Sequence, residues 1–422
     1  MLSPAPQPEP GRWIPLGQPE HIGTVVIGAG QAGLAVSHEL TIRGVDHVVL
    51  ERSRVAQSWR ERWDSFTLVT PNWTMDLPGT PYAGPDPEGH VSRDAIVEYL
   101  EDYGARWDIS VREGVAVESV RAGTGSRFAL MTSLGPISAD NVVVCTGSFQ
   151  EPFRPPPGLL PAALHVIDAI EYRNPTDLPP GKVLIIGSGQ TGCQFAEELS
   201  LAGRDVLLAC GRAPWIPRRL DDLDTVTWLT RAGFYDQPLD SLPSPASRLL
   251  ANTQATGAAG GHDLHFRTLQ KLGVVLLGHL SGVDGSRASF ADDLGASVAF
   301  GDARWDDTRA LLTSALPGLG YTVPELPIPA PFRYESVTEV NIHDVAAIIY
   351  ATGYRPNYRW IELPVLDDMG FPITDAGTTA YPGLYFCGVH FMRIRRSAFM
   401  FGVGLDAAIV AESLAASPVK AG

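Results

Sequence analysis

Two sets of glycines in this chain carry the spacing that binding a diphosphate requires. Gly28, Gly30 and Gly33 follow directly on Thr24-Val25-Val26-Ile27, a short apolar run that reads as a buried strand. Gly187, Gly189 and Gly192 follow Leu184-Ile185-Ile186 in the same way. In a Gly-x-Gly-x-x-Gly turn the first glycine permits the bend. The second lets a diphosphate approach the backbone, and the third lets the next helix lie close to the sheet. That helix aims its unpaired N–H groups at the anion. Gln31 in the first copy, and Gln190 and Thr191 in the second, belong to the same pattern. Both copies read Ile-Gly-x-Gly-Gln-x-Gly, 159 residues apart.

The residues beyond each turn differ in a way that sets ligand preference. Val48-Val49-Leu50-Glu51 reads as a strand ending in a carboxylate, with Arg52 beside it, 23 residues after Gly28. That spacing suits an acid holding a ribose 2′-hydroxyl. The position 159 residues after Glu51 is Cys210, followed by Gly211 and Arg212. A carboxylate repels a 2′-phosphate, whereas the planar fork of an arginine suits one. The first unit is therefore expected to hold FAD and the second NADPH. Arg212 is the leading phosphate reader, with Arg218 and Arg219 as weaker candidates.

Between Ser53 and Tyr82 lies an aromatic stretch holding Trp59, Trp63, Phe66, Trp73 and Tyr82, with Arg60 and Arg62 interleaved. Pro71, Pro78 and Pro81 forbid a long helix there. A loop in this place can lie along a flavin ring, with Trp59 and Arg60 against the cofactor. Asn72 is its one neutral amide, able to donate and accept beside reacting oxygen. An equally open reading makes it an Asx-turn amide beside Pro71.

These groups need a scaffold of strands and helices. The order strand, glycine turn, helix, strand occurs twice, which predicts an α/β protein with two Rossmann-like dinucleotide-binding domains in three layers. Ser92 is placed to cap a helix running to about Tyr103. Runs at 114–120 and 127–132 read as a small β meander inserted in the first domain. Val142-Val143-Val144-Cys145-Thr146-Gly147 and Ala347-Ile348-Ile349-Tyr350-Ala351-Thr352-Gly353 read as matching buried strands. Each delivers the chain to a crossing between domains, and each Thr-Gly exit can pack against a cofactor. A helix is expected over 305–316, and the stretch 251–261 as a mobile loop. Leu384 to Gly388 reads as a strand and turn. Gly402 to Leu414 reads as a helix whose N-terminus can stabilise negative charge on reduced flavin. The expected division is a loose tail at 1–19, a FAD domain at 20–178 and 331–422, and an NADPH domain at 179–330.

Composition narrows the function classes. The 422 residues exceed the size at which one core usually keeps growing. The formal charge of −15, from 32 basic and 47 acidic side chains, argues against nucleic acid and anionic membrane partners. No run of 18 apolar residues occurs, so no integral membrane segment is expected. Four scattered cysteines, without a Cys-x-x-Cys, fit neither a disulfide scaffold, a metal site nor a redox dithiol, and suit the cytoplasm. A homo-oligomer is compatible with these features.

The two glycine motifs, Trp59-Arg60, Ala351-Thr352-Gly353-Tyr354 and the closing Gly402-Val403-Gly404-Leu405-Asp406-Ala407 together resemble the class B flavoprotein monooxygenases. That group contains the flavin-containing monooxygenases, the plant YUCCA enzymes and the Baeyer–Villiger enzymes. The likeness spans about residues 20–415. It implies hydride transfer from NADPH to FAD, then reaction with O2 to a flavin C4a-(hydro)peroxide. One oxygen atom would pass to nitrogen, sulfur or activated carbon of a small organic substrate. An asparagine beside the flavin in some members matches Asn72 roughly. The family fingerprint Phe-x-Gly-x-x-x-His would end on His165, but Leu159 and Pro161 stand at its Phe and Gly positions. The Trp-Pro of the ester-forming members is missing after His165, and Gln57-Ser58 replaces the Gly-Gly that often precedes the tryptophan. An NADPH-dependent flavin reductase or oxidase without oxygen insertion is the alternative.

Overall fold

The structure is a computed structural model that describes residues 20–155, 164–250 and 252–416. The chain enters along strand β1 (Glu20–Ile27), turns through the first glycines into helix α1 (Gln31–Ile42), and returns along β2 (Val48–Leu50). Helix α2 (Arg93–Arg106) is capped by Ser92, whose hydroxyl accepts from the Ala95 N–H. Strands β3 (Val111–Arg112), β4 (Val117–Ala122), β5 (Phe128–Thr132) and β6 (Gly135–Val144) follow. The sheet order is β3-β2-β1-β6-β5-β4, with the last three strands forming the expected antiparallel meander.

The second sheet contains β7 (His165–Asp168), β8 (Lys182–Ile186), β9 (Val206–Ala209), β10 (Val275–Leu277) and β11 (Val345–Tyr350). Its order is β7-β11-β8-β9-β10, and all its pairings are parallel. Helix α3 (Gln190–Leu201) leaves its glycine turn as α1 leaves the first. Strand β12 (Leu384–Phe386) then completes the first sheet beside β6, and helix α4 (Met400–Ala416) packs against α1.

Strand alternation explains the layers. Val26, Val49 and Val143 face one core with Leu34 and Leu40 of α1. Val25, Ile27, Val142 and Val144 face another, with Phe128, Leu130 and Phe371. The second sheet repeats this, with Val183 and Ile185 toward Phe195 of α3 and Leu184 and Ile186 toward Phe290. Fully burying each such side chain is worth about 1.5–3 kcal/mol before chain entropy is counted. The two helix-side cores merge where Trp63 of the aromatic loop meets Phe195 of α3, ring centroids 4.8 Å apart. Among the described residues no helix is long and apolar enough to cross a membrane.

Three expectations need correction. Strands β7 and β11 lie in the second sheet, so that sheet draws on residues outside 179–330. Val345 to Tyr350 is apolar along its length because β7 and β8 flank it and cores cover both faces. The crossings themselves are Glu151–Pro152 and Tyr354–Arg355, which pair antiparallel with each other. The 305–316 helix begins at Leu294, because Gly295, Ala296 and Gly301 dilute the apolar period over its first turns. The 251–261 stretch is no loose loop: Gln254, Ala255 and Thr256 are buried. The 1–19 tail and the Leu159 and Pro161 positions lie outside the described residues.

Candidate active site

Both glycine turns close on the sheet by direct backbone contact. Gly28 has φ +102° and Gly187 φ +104°, values that favour glycine. A Cβ on Gly33 would lie 1.8 Å from the Gly28 carbonyl oxygen, and one on Gly192 would lie 1.9 Å from that of Gly187. The matched strand exits seal each turn from behind. Cβ positions on Gly28 and Gly187 would lie 3.0 Å from the Cys145 carbonyl oxygen and 2.5 Å from that of Ala351. The repeat seen in sequence is thus a repeat in packing.

The helix entrances fit anions. Gly30 caps α1 and Gly189 caps α3, both in extended conformation and without a side-chain cap. Elsewhere Ser92, Asp224 and His265 accept from the first turns of their helices. The α1 and α3 entrances leave those N–H groups open to a ligand. A Cβ on Gly30 would meet nothing within 4 Å, so the space before α1 is open.

Glu51 is buried, 7% exposed, and its carboxylate accepts from the N–H groups of Ala29 at 2.8 Å and Ser53 at 2.9 Å. The acid therefore sits against the first glycine turn, while Arg52 is exposed beside it. In the second unit, Ser188 matches Ala29, and its hydroxyl accepts from Gly211 N–H at 2.8 Å. Arg212 follows, exposed. Arg218 is instead buried against Asp224 and the Val69 and Thr256 carbonyls, and Arg219 leans on the Glu88 and Asp222 carbonyls. Arg212 and Arg219 are the exposed members of the three, and Arg212 makes no side-chain hydrogen bond or ion pair among the described residues.

Trp59 Nε1 donates to Gln31 Oε1 at 2.9 Å, and Gln31 Nε2 donates to the Ala398 carbonyl at 3.2 Å. Gln31 thus ties the aromatic loop to the segment entering α4. Arg60 does not face a ligand: it donates to the Val55 carbonyl and pairs with Glu101 of α2. Gln190 is likewise engaged, donating to the Thr253 carbonyl at 3.0 Å, while Thr191 is half-buried beside it. Gln254, 0% exposed, donates to the Ser188 carbonyl at 2.9 Å, so the 253–256 segment lies across the second turn.

The exit residues hold the crossings. Thr146 accepts from Gln150, and Thr352 donates to the Phe153 carbonyl. Gly147 has φ +69° and its carbonyl accepts from Tyr358, while the Gly353 carbonyl accepts from Phe153 N–H. Gly388 and Gly402 are close-packing positions. A Cβ on Gly388 would lie 2.4 Å from that of Ala32, and one on Gly402 would lie 2.2 Å from the Arg396 carbonyl oxygen.

Asn72 requires a correction. It is 3% exposed and its amide is used at both ends. Its Oδ1 accepts from Val91 N–H at 2.7 Å and its Nδ2 donates to the Asp86 carbonyl at 2.8 Å. The side chain pins the 72–75 turn to residues 86–91, so the catalytic role expected for it is withdrawn. Sequence reading also missed a buried clasp between the two halves. Arg218 pairs with Asp224, whose other oxygen is 3.5 Å from His90 Nε2. Burial alone would raise the Asp224 pKa, but His90 and Arg218 outweigh it and hold the carboxyl below its ordinary value. No spacing in the sequence marks this cluster, because its members come from separate segments.

Cys145, Cys193, Cys210 and Cys387 are free and buried, and burial pushes each thiol above its ordinary range. Among the described residues no acidic, histidine or cysteine cluster could hold a metal.

Residues 25–232 match the pyridine nucleotide-disulphide oxidoreductase family. Indole-3-pyruvate monooxygenase YUCCA1 of Oryza sativa subsp. japonica is 31% identical over 50% of this chain and 52% of its own length. The chain is thus similar to flavin-dependent oxidoreductases and monooxygenases. A CzcO-like uncharacterized oxidoreductase of Geobacillus kaustophilus is 29% identical over 92% of this chain and 96% of its own. The flavin-containing monooxygenase of Stenotrophomonas maltophilia shares the fold. Its TM-score is 0.66 at 20% identity, over 94% of this chain and 99% of that one. The two glycine units fit two dinucleotides, FAD and NADPH.

Proposed function

We propose that the chain is an NADPH- and FAD-dependent monooxygenase that transfers one oxygen atom from O2 to nitrogen, sulfur or activated carbon of a small organic substrate. The observation that carries this reading is the pair of uncapped glycine-led helices, one beside a buried acid and one beside an exposed arginine. Gly28, Gly30, Gly33 and Glu51 would hold FAD. Gly187, Gly189, Gly192 and Arg212 would hold NADPH. Bound FAD supplies the electron and oxygen chemistry.

The protein's own residues position and shield. Glu51, held against the first glycine turn, would meet the ribose of bound FAD and favour a free 2′-hydroxyl. Gln31 fixes Trp59 relative to the α4 entrance. Asn72 and the Arg218–Asp224 pair hold the aromatic loop, so the region between the units keeps its shape and excludes water. The four buried thiols support oxygenation over disulfide reduction, since none is placed as an accessible redox dithiol. They also support a reducing, cytoplasmic setting. The second reading is an NADPH oxidase or reductase without oxygen insertion, favoured by Leu159 and Pro161 in the family fingerprint. Anaerobic mixing with NADPH tests the shared step. Bleaching of the flavin absorbance is expected, and a flavin that stays oxidised overturns both readings.

A further inference from the structure

Among the described residues, Arg62 is the arginine of the aromatic loop that lacks a polar partner. Its neighbours are engaged. Arg60 pairs with Glu101, Arg93 with Asp64 and Asp94, and Arg173 donates to three carbonyls. The Arg62 guanidinium has no hydrogen bond or ion pair among the described residues, and its Nε is sealed from water. The Phe66 ring lies 5.8 Å from its Cζ. Burial lowers its pKa, with Tyr354 and Glu61 opposing that electrostatically. Leaving a partly desolvated cation unpaired is unfavourable, so such a group stands ready for an anion.

Its place in the fold says which anion. Trp63, the next residue, packs on Phe195 of α3, and Ser65 donates to Glu198 of the same helix at 2.7 Å. Tyr354 follows the Thr352-Gly353 exit, whose Thr352 Cγ2 would lie 3.1 Å from a Cβ on Gly187. Arg62 therefore belongs to the first unit, while the residues just after it in the loop pack on α3, the helix that leaves the second glycine turn.

We propose that Arg62 binds the diphosphate of the nicotinamide nucleotide, clamping it from the flavin-side loop while the α3 entrance holds it from the other side. A guanidinium fork matches paired phosphate oxygens, and the contact would form only when the nucleotide bridges the two units. This rests on the assignment of the second unit to NADPH. Because NAD⁺ and NADP⁺ share the diphosphate, Arg62 should act on both alike, whereas Arg212 reads only the 2′-phosphate.

The test uses the flavin-loaded protein, with NADP⁺ and NAD⁺ titrated against the flavin absorbance change. Arg62→Met should raise both dissociation constants by the same factor, roughly 10–100-fold, with flavin content unchanged. Arg62→Lys should give a smaller rise. Arg212→Ala should weaken NADP⁺ alone. Without nucleotide, the thermal midpoint of Arg62→Met should equal or exceed that of the wild type, since an unpaired, partly buried cation has been removed. The rise in midpoint on adding NADP⁺ should shrink. Unchanged affinities in Arg62→Met, flavin loss with intact nucleotide binding, or a drop in the nucleotide-free midpoint would each overturn the inference. A wild type that binds neither nucleotide would remove the assignment of the second unit and this inference with it.

Discussion

The Glu51 carboxylate lies 2.8 Å from the backbone nitrogen of Ala29, in the middle of the first glycine turn. In the second unit Cys210 stands in the place of Glu51, and the turn is tied instead by Ser188, whose hydroxyl accepts from Gly211 N–H. The turns are alike in backbone and unlike in charge, and the difference falls where two nucleotides would differ.

Glu51→Gln keeps an acceptor for the turn but removes its charge. Charge-assisted hydrogen bonds are worth about 1.5–3 kcal/mol, so FAD affinity should fall roughly 10-fold or more. Flavin retained after dialysis reads this directly. Retention equal to wild type would separate Glu51 from the ribose.

Gly33→Ala and Gly192→Ala place a Cβ 1.8 Å and 1.9 Å from a carbonyl oxygen, so the helix must shift away from the sheet. Overpacking of this kind costs about 1–3 kcal/mol. Gly33→Ala should lose flavin. Gly192→Ala should keep flavin and lose reduction by NADPH. The reverse pattern would exchange the two assignments.

Arg212→Ala should raise the KM for NADPH roughly 10-fold and leave that for NADH nearly unchanged. The lower end of the charge-assisted range applies because the side chain is exposed and screened. Steady-state rates with both coenzymes decide it, and equal changes would exclude phosphate reading by Arg212.

Asp224→Asn leaves Arg218 buried without a counter-charge and should destabilise the fold by about 3–5 kcal/mol. The folded-state pKa of Asp224 lies below its ordinary 3.8. Its contribution is therefore fully present above about pH 4 and is lost as pH falls through the lowered value. Urea midpoints measured from pH 7 down to pH 2 should fall more steeply for wild type than for Asp224→Asn. Parallel curves would contradict the clasp.

The repeat was legible because it is local. Turn, helix and strand lie within about 30 residues of each other in a βαβ unit, so Gly28 to Glu51 and Gly187 to Arg212 show in the order of residue types. Asn72 was not legible in this way. Its partners, Val91 and Asp86, are fixed by how a proline-rich loop folds back, and residue type alone could not separate a pinning amide from a reacting one. Arg60 and Arg62 look equivalent in sequence. Only the arrival of Glu101 on α2 satisfies one and leaves the other free. Val345 to Tyr350 reads as a strand in sequence, but its place in the second sheet, beyond the expected 178/331 division, is not legible there because β-partner choice depends on contacts far apart in the chain.

Isotopic labelling under ¹⁸O₂ decides whether oxygen is transferred to a substrate. The flavin-loaded protein is supplied with NADPH and a panel of amines, sulfides, ketones and 2-oxo acids, and products are read by mass spectrometry. A product carrying one ¹⁸O atom, formed in step with NADPH oxidation, is expected. NADPH consumed with all reduced oxygen recovered as hydrogen peroxide, and no labelled product across the panel, would contradict it.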